Sequence, residues 1–171
     1  MPIRLVPLAL AAVLLSGCLA SRASLGPATD SPVFDPGAFF VGRSSGEGQL
    51  SIRGRGTQPV SVESVGTRQP DGSVRLVQSI RRGADAPTER TWSLRPVTET
   101  EWTGTLTEAT GPVTARVDGN ELRIHYRTGP FTAVDQRLRL QPGGDVALNR
   151  LTVTLLGLPI ARLSERIERA R

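Results

Sequence analysis

Chemistry in this sequence has to be built from a narrow set of side chains. His125 is the lone histidine and Cys18 the lone cysteine of 171 residues, which excludes a two-histidine metal site and an intrachain disulfide. A zinc site would then need carboxylates, and no spacing of Asp or Glu singles any out. A Ser-His-Asp arrangement would need His125 as its base. Arg123 and Arg127 share the face of His125 on an alternating segment, an environment that does nothing to build a triad. His125 therefore reads as a solvent-facing strand residue, and no enzyme activity, cofactor or metal is expected. The glycines between Gly42 and Gly48 precede neither a helix pattern nor a lysine, so they read as a bent first strand and not as a phosphate cradle. What remains are the amides Gln78, Gln136 and Asn149 and the aromatics Trp92, Trp102 and Tyr126, which alternation places on one face. They are the candidate ligand-binding set. The competing reading for each is structural, because a buried amide can simply satisfy its neighbours and an inward ring can simply pack.

The N-terminus carries a covalent chemistry of its own. Arg4 is followed by the apolar run Leu5 to Leu15 and then by Leu15-Ser16-Gly17-Cys18. The run is too short to span a bilayer and has the layout of a signal peptide over 1–17. Small residues ending in a cysteine directly after such a run are similar to the lipobox of bacterial lipoproteins, in which the thiol takes a diacylglycerol and becomes the new N-terminus. Lipidation is expected at Cys18, and acyl chains at about 0.8 kcal/mol per buried methylene make a stable anchor. Leu19 stands where an Asp would favour retention in the inner membrane, so the expected location is the outer membrane, facing the periplasm. Export makes a nucleic-acid partner improbable. All 21 basic residues are arginine and the formal charge is +5, which points either to an anionic partner or to a compositional habit of the genome.

These groups need elements to hold them. Residues 18–33 are small and polar, interrupted by Gly26, Pro27 and Pro32, and read as a flexible tether; residues 34–171 read as one domain. Asp35-Pro36 supplies a helix cap and a preset first residue, with Phe34 and Phe39 at staple positions, so one helical turn should present Phe39 and Phe40 to something apolar. From Gly48 to Leu155 the pattern has period two with turn chemistry every eight to twelve residues, as at Pro70-Asp71-Gly72, Asp118-Gly119-Asn120 and Pro142-Gly143-Gly144. About nine antiparallel strands are expected, in a closed up-and-down barrel or, less economically, a Greek-key sandwich. One face is apolar; the other carries Arg75, Arg81, Arg123, Arg127, Arg137 and Arg139. Gly104 and Ala115 leave room on the inward face. Residues 158–171 fit either a strand or a short C-terminal helix, since Ile160, Leu163 and Ile167 have helical spacing.

Phe34-Asp35-Pro36-Gly37-Ala38-Phe39-Phe40-Val41-Gly42, Thr91-Trp92-Ser93-Leu94, Gly119-Asn120-Glu121-Leu122 with Tyr126, and Leu140-Gln141-Pro142 with Leu148-Asn149-Arg150 resemble the DUF3833 lipoproteins. The resemblance runs from about Phe34 to Ile160. It implies a lipocalin-like barrel, a lipobox and no established activity, and genes that lie near lipid-modifying enzymes. Two departures stand out: Gln136, Arg137 and Leu138 replace aromatics usual before the Asn-Arg motif, and the closing strand falls in the arginine-rich tail.

Two functions follow as expectations. The first is a binding module whose lumen holds a lipid or other apolar ligand. The second is an envelope interaction protein with a filled barrel, whose outward arginines meet anionic headgroups or an acidic partner. Lumen volume separates them.

Overall fold

The structure, a computed structural model, describes residues 25–170. The signal segment, Cys18 and the first part of the expected tether lie outside the described residues. Alternating sequence becomes strand almost throughout. After α1 (Pro36–Phe39) come β1 (Gly42–Ile52), β2 (Gly56–Arg68), β3 (Val74–Arg82), β4 (Thr88–Pro96), β5 (Glu101–Leu106), β6 (Val113–Asp118), β7 (Glu121–Arg127), β8 (Thr132–Leu140), β9 (Val146–Leu155) and β10 (Leu158–Arg169). Each strand pairs antiparallel with the next, and β1 also pairs with β10, so ten strands close a barrel in up-and-down order. Closure leaves no unpaired edge to protect.

The tail is a strand, and the option of a C-terminal helix is corrected. As a helix it would leave the outer edges of β1 and β9 unpaired; as β10 it hydrogen-bonds to both. A register shift between Pro159 and Ala161 turns Leu163, Glu165 and Ile167 inward. The helical spacing of the apolar residues was a coincidence of that irregularity.

One end of the barrel is plugged. Asp35 caps α1, its Oδ1 accepting from the Ala38 amide at 3.2 Å, and Pro36 supplies the first helical residue. Phe34, Phe39 and Phe40 are buried, with ring centroids 5.1 to 6.1 Å apart. Burying each stabilises the fold by about 2 kcal/mol. Gly66 on β2 permits the approach, since a Cβ there would lie 1.7 Å from the Phe40 carbonyl oxygen.

Residues 25–33, expected as free tether, are instead laid across this end. The Thr29 amide donates to Asn120 Oδ1 at 3.0 Å, the Asn120 amide to the Thr29 carbonyl at 2.8 Å, and the Phe34 amide to the Gly119 carbonyl at 2.8 Å. Asn120 fastens them to β8 as well, its Nδ2 donating to the Leu140 carbonyl. Arg139 belongs to this contact and not to the outer face: it is 7% exposed, ion-paired with Glu121, and donates to the Gly26 carbonyl.

Candidate functional site

Inside the barrel the apolar side chains form two clusters. The larger joins the plug to Trp92, Trp102, Leu122, Tyr126 and Leu138; the smaller contains Val60, Val62 and Ile80. A polar set lies at the same level of the wall. Gln78 Oε1 accepts from Trp92 Nε1 at 2.7 Å and from Arg90 Nε at 2.8 Å, while Gln78 Nε2 donates to Ser64 Oγ at 3.0 Å. The Arg90 guanidinium sits 5.3 Å from the Trp92 ring centre, a cation-π arrangement, and Trp92 meets Tyr126 edge-on at 5.6 Å. Trp92 is on β4 and Tyr126 on β7, so this contact bridges the lumen.

Glu165 faces inward and is 9% exposed. Its Oε2 accepts from Asn149 Nδ2 at 2.7 Å, and Gly46 makes room for it, because a Cβ there would stand 2.1 Å from Oε1. Burial pushes the Glu165 carboxyl above the usual carboxylate range, against the Asn149 donor and the Arg90 charge, which pull it down.

Of the six residues singled out in the sequence, the fold brings together Gln78, Trp92 and Tyr126, and places Asn149 with Glu165. Gln136 is buried between Ile124 and Leu151 with its Oε1 unpartnered, and Trp102 packs lower, against Gly37 of the plug. Arg90 and Glu165 were missed. Arg90 shares the parity of Trp92 and Leu94, so alternation alone could have found it; Glu165 becomes visible only once the tail is a strand. A void beside Ser44, Ser64, Gln78 and Glu165 measures about 10 Å³, space for one water at most. Gly104 does not enlarge the lumen as expected: a Cβ there would meet the Ser93 carbonyl oxygen at 1.8 Å, so the glycine serves close strand contact.

The larger concavity lies on the outer wall. A groove of about 530 Å³ crosses β5 to β8, with Ala115, Ile124 and Gln136 among the residues that line it. One bank is the row Thr103, Thr114, His125 and Asp135; the other is Glu101, Arg116, Arg123 and Arg137, each in register with the next. The arginine row continues to Arg150 on β9. Like charges directly opposite one another on a sheet are unfavourable, so a row of four asks for counter-charge. Part of it is internal: Arg123 pairs with Glu121 at 2.5 Å and with Asp118 at 3.6 Å. Arg137, flanked by Arg123 and Arg150, is exposed and has no carboxylate partner among the described residues. Across the groove His125 Nδ1 and Asp135 Oδ1 are 2.9 Å apart. His125 is thus exposed as expected, with a carboxylate neighbour that sequence reading missed because β7 and β8 register is needed to see it.

A family model described as a protein of unknown function, DUF3833, matches residues 12–168. The chain belongs to the DUF3833 family. No curated protein matches it significantly. Among solved structures this DUF3833 chain is similar to the S-type phycobiliprotein lyase CPES from Guillardia theta, with a TM-score of 0.64 and 9% identity over 79% of this chain and 90% of that one. It is also similar to Rv2717c from M. tuberculosis, at 0.62 and 19% identity over 81% and 99%. A DUF3598-family protein of unknown function from Nostoc punctiforme PCC 73102 matches at 0.61 and 14% identity over 82% of this chain and 51% of that one. At these identities the likeness is one of fold: the DUF3833 barrel is lipocalin-like.

Proposed function

We propose that this chain is a periplasm-facing lipoprotein, acylated on Cys18 and carried by the outer membrane, whose filled barrel is a binding module for a phosphate-bearing lipid headgroup and not an enzyme. The observation that carries the ligand class is Arg137, exposed and flanked in register by arginines at the bank of the outer groove. Guanidinium groups bind phosphate in bidentate fashion, and three along one bank set the geometry for it. Side chains that meet across the lumen support the filled-barrel reading.

The test is calorimetric titration of the acylated protein in detergent micelles with phosphatidylglycerol and, separately, with inorganic phosphate. Saturable binding by wild type should weaken about tenfold in Arg137→Gln, as expected for losing charge-assisted hydrogen bonds. Equal affinity in wild type and variant overturns the groove. Binding of free phosphate as tight as that of the lipid makes the ligand the anion alone.

A second reading, a lumen ligand with an apolar body and a hydrogen-bond donor, draws on the buried and unpartnered acceptors Gln136 Oε1 and Asn149 Oδ1. Such a ligand must part Trp92 from Tyr126. Stoichiometric lipid in organic extracts, together with fluorescent fatty-acid binding that Arg137→Gln leaves intact, would favour it.

A further inference from the structure

At the barrel end opposite α1, three hairpin tips adjacent around the rim, β7–β8, β9–β10 and β1–β2, carry exposed apolar residues together with arginines, while β3 ends at the same rim in Arg81 and Arg82. Phe131, Leu156 and Leu158 are 61%, 70% and 61% exposed. They form one patch: the Leu156 amide donates to the Phe131 carbonyl at 2.9 Å, and Leu158 pairs with Leu155, which also pairs with Thr132. The third tip joins through the Arg53 amide, which donates to the Ile160 carbonyl at 2.9 Å. Arg53 and Arg55 are exposed there, and the Arg127 guanidinium donates to the Pro130 carbonyl under the Phe131 loop. Residues 50–62, 126–134 and 151–164 contain no Asp or Glu. The acidic loop residues of this end, Asp85 and Glu108, lie across the mouth on the β3–β4 and β5–β6 loops.

Two features say what covers the patch. Leu156 has φ +51° and Gly157 φ +79°, so the two-residue turn is left-handed at both positions. Asn, Asp or Gly suits the first of these and leucine does not, so local stability is given up to hold an apolar side chain at the outermost point. The patch also consists of projecting tips backed by arginines, unlike the broad face of about 800 Å² that a stable protein partner covers. Apolar tips with cations behind them match a bilayer interface, where acyl chains receive the side chains and anionic headgroups meet the guanidinium groups. We propose that this rim inserts into a lipid bilayer carrying anionic headgroups, with Phe131, Leu156 and Leu158 at the acyl boundary and Arg53, Arg55 and Arg127 among the headgroups. The contact goes beyond the groove reading and lies at the end opposite residues 26–34.

The full chain with Cys18→Ser and Leu156→Cys carries a single cysteine for an environment-sensitive fluorophore. With vesicles of phosphatidylcholine plus phosphatidylglycerol, the probe should shift to the blue and be quenched by lipid-borne nitroxide; a probe at Val65→Cys on the outer wall should not. Arg53→Gln with Arg55→Gln, added to the Leu156→Cys chain, should weaken partition read at the probe by roughly fivefold per arginine. With the probe moved to Phe131→Cys, Leu156→Asn should raise the thermal midpoint by improving the turn and still lower partition, which separates lost insertion from lost fold. A probe that stays in water with vesicles present overturns the proposal, as does partition unchanged by Leu156→Asn. A blue shift that grows with protein concentration without lipid overturns it in favour of a second copy. Arg137→Gln should leave the probe response intact, so failure of the groove and failure of the rim are distinguishable.

Discussion

Glu165 is the residue with the clearest pH consequence. Its carboxyl is raised by burial, so the folded chain holds that proton more tightly than the unfolded chain does. For a group raised on folding, the associated stability is present below the unfolded value and lost as pH rises through the folded one. The loss therefore begins near the ordinary Glu value of about 4.3 and is complete above the raised value. Glu165→Gln keeps the shape and an acceptor for Asn149 but cannot ionise. Its urea midpoint should exceed wild type at neutral pH and match it near about pH 4, where the carboxyl is largely protonated in both states. A variant less stable than wild type at neutral pH, with the gap closing as pH falls, would show instead that the ionised carboxylate is held by Arg90. Gly46 belongs to the same argument, since the absence of its Cβ is what allows the carboxyl to sit against β1.

At the scale of elements, the plug and the closing strand do most to define the interior. The Asp35 cap and Pro36 make α1 locally, but its position depends on a contact between backbones, with Phe40 passing over Gly66. In Gly66→Ala the obstructing atom is a carbonyl oxygen that cannot swing aside as a side chain would. The substitution should destabilise by about 1–3 kcal/mol, the usual range for overpacking, and show as a lowered urea midpoint with weaker protection of the Phe40 amide in hydrogen exchange. An unchanged midpoint would mean that the plug yields without loss, and that the end is less tightly shut than the Phe34, Phe39 and Phe40 contacts indicate. The strand β10 closes the other seam, and its pairing with β1 and β9 outweighs a sequence pattern that also suited a helix.

For the whole molecule, the described chain is held at one end by residues 26–34 and displays apolar hairpin tips at the other. Acylation on Cys18 would attach the first end to a membrane. Fatty-acid labelling of wild type should vanish in Cys18→Ser, read on the protein band so that membrane contact through the rim does not confuse the result. A variant that still takes the label would overturn the anchor and, with it, the outer-membrane location. The groove lies on the wall between the two ends, so its ligand and the rim's lipid contact can be weakened one at a time.

Period-two alternation by itself determined which side chains of the strands from β3 to β9 point inward, because successive residues on an extended chain face opposite ways whatever the strand pairs with. That placed Gln78, Trp92, Tyr126, Gln136 and Asn149 on the inner wall, and cap chemistry placed α1. Contacts across the barrel were outside its reach. That Trp92 meets Tyr126, that Gln78 receives Arg90, that Glu165 finds Asn149, and that Arg116, Arg123, Arg137 and Arg150 stand in one row all depend on register and closure. Register is set jointly by pairing between strands distant in sequence, and the fate of the tail by two edges it meets only after the rest has folded. Lumen volume is a further step removed, being the small difference between the space ten strands enclose and the side chains that fill it.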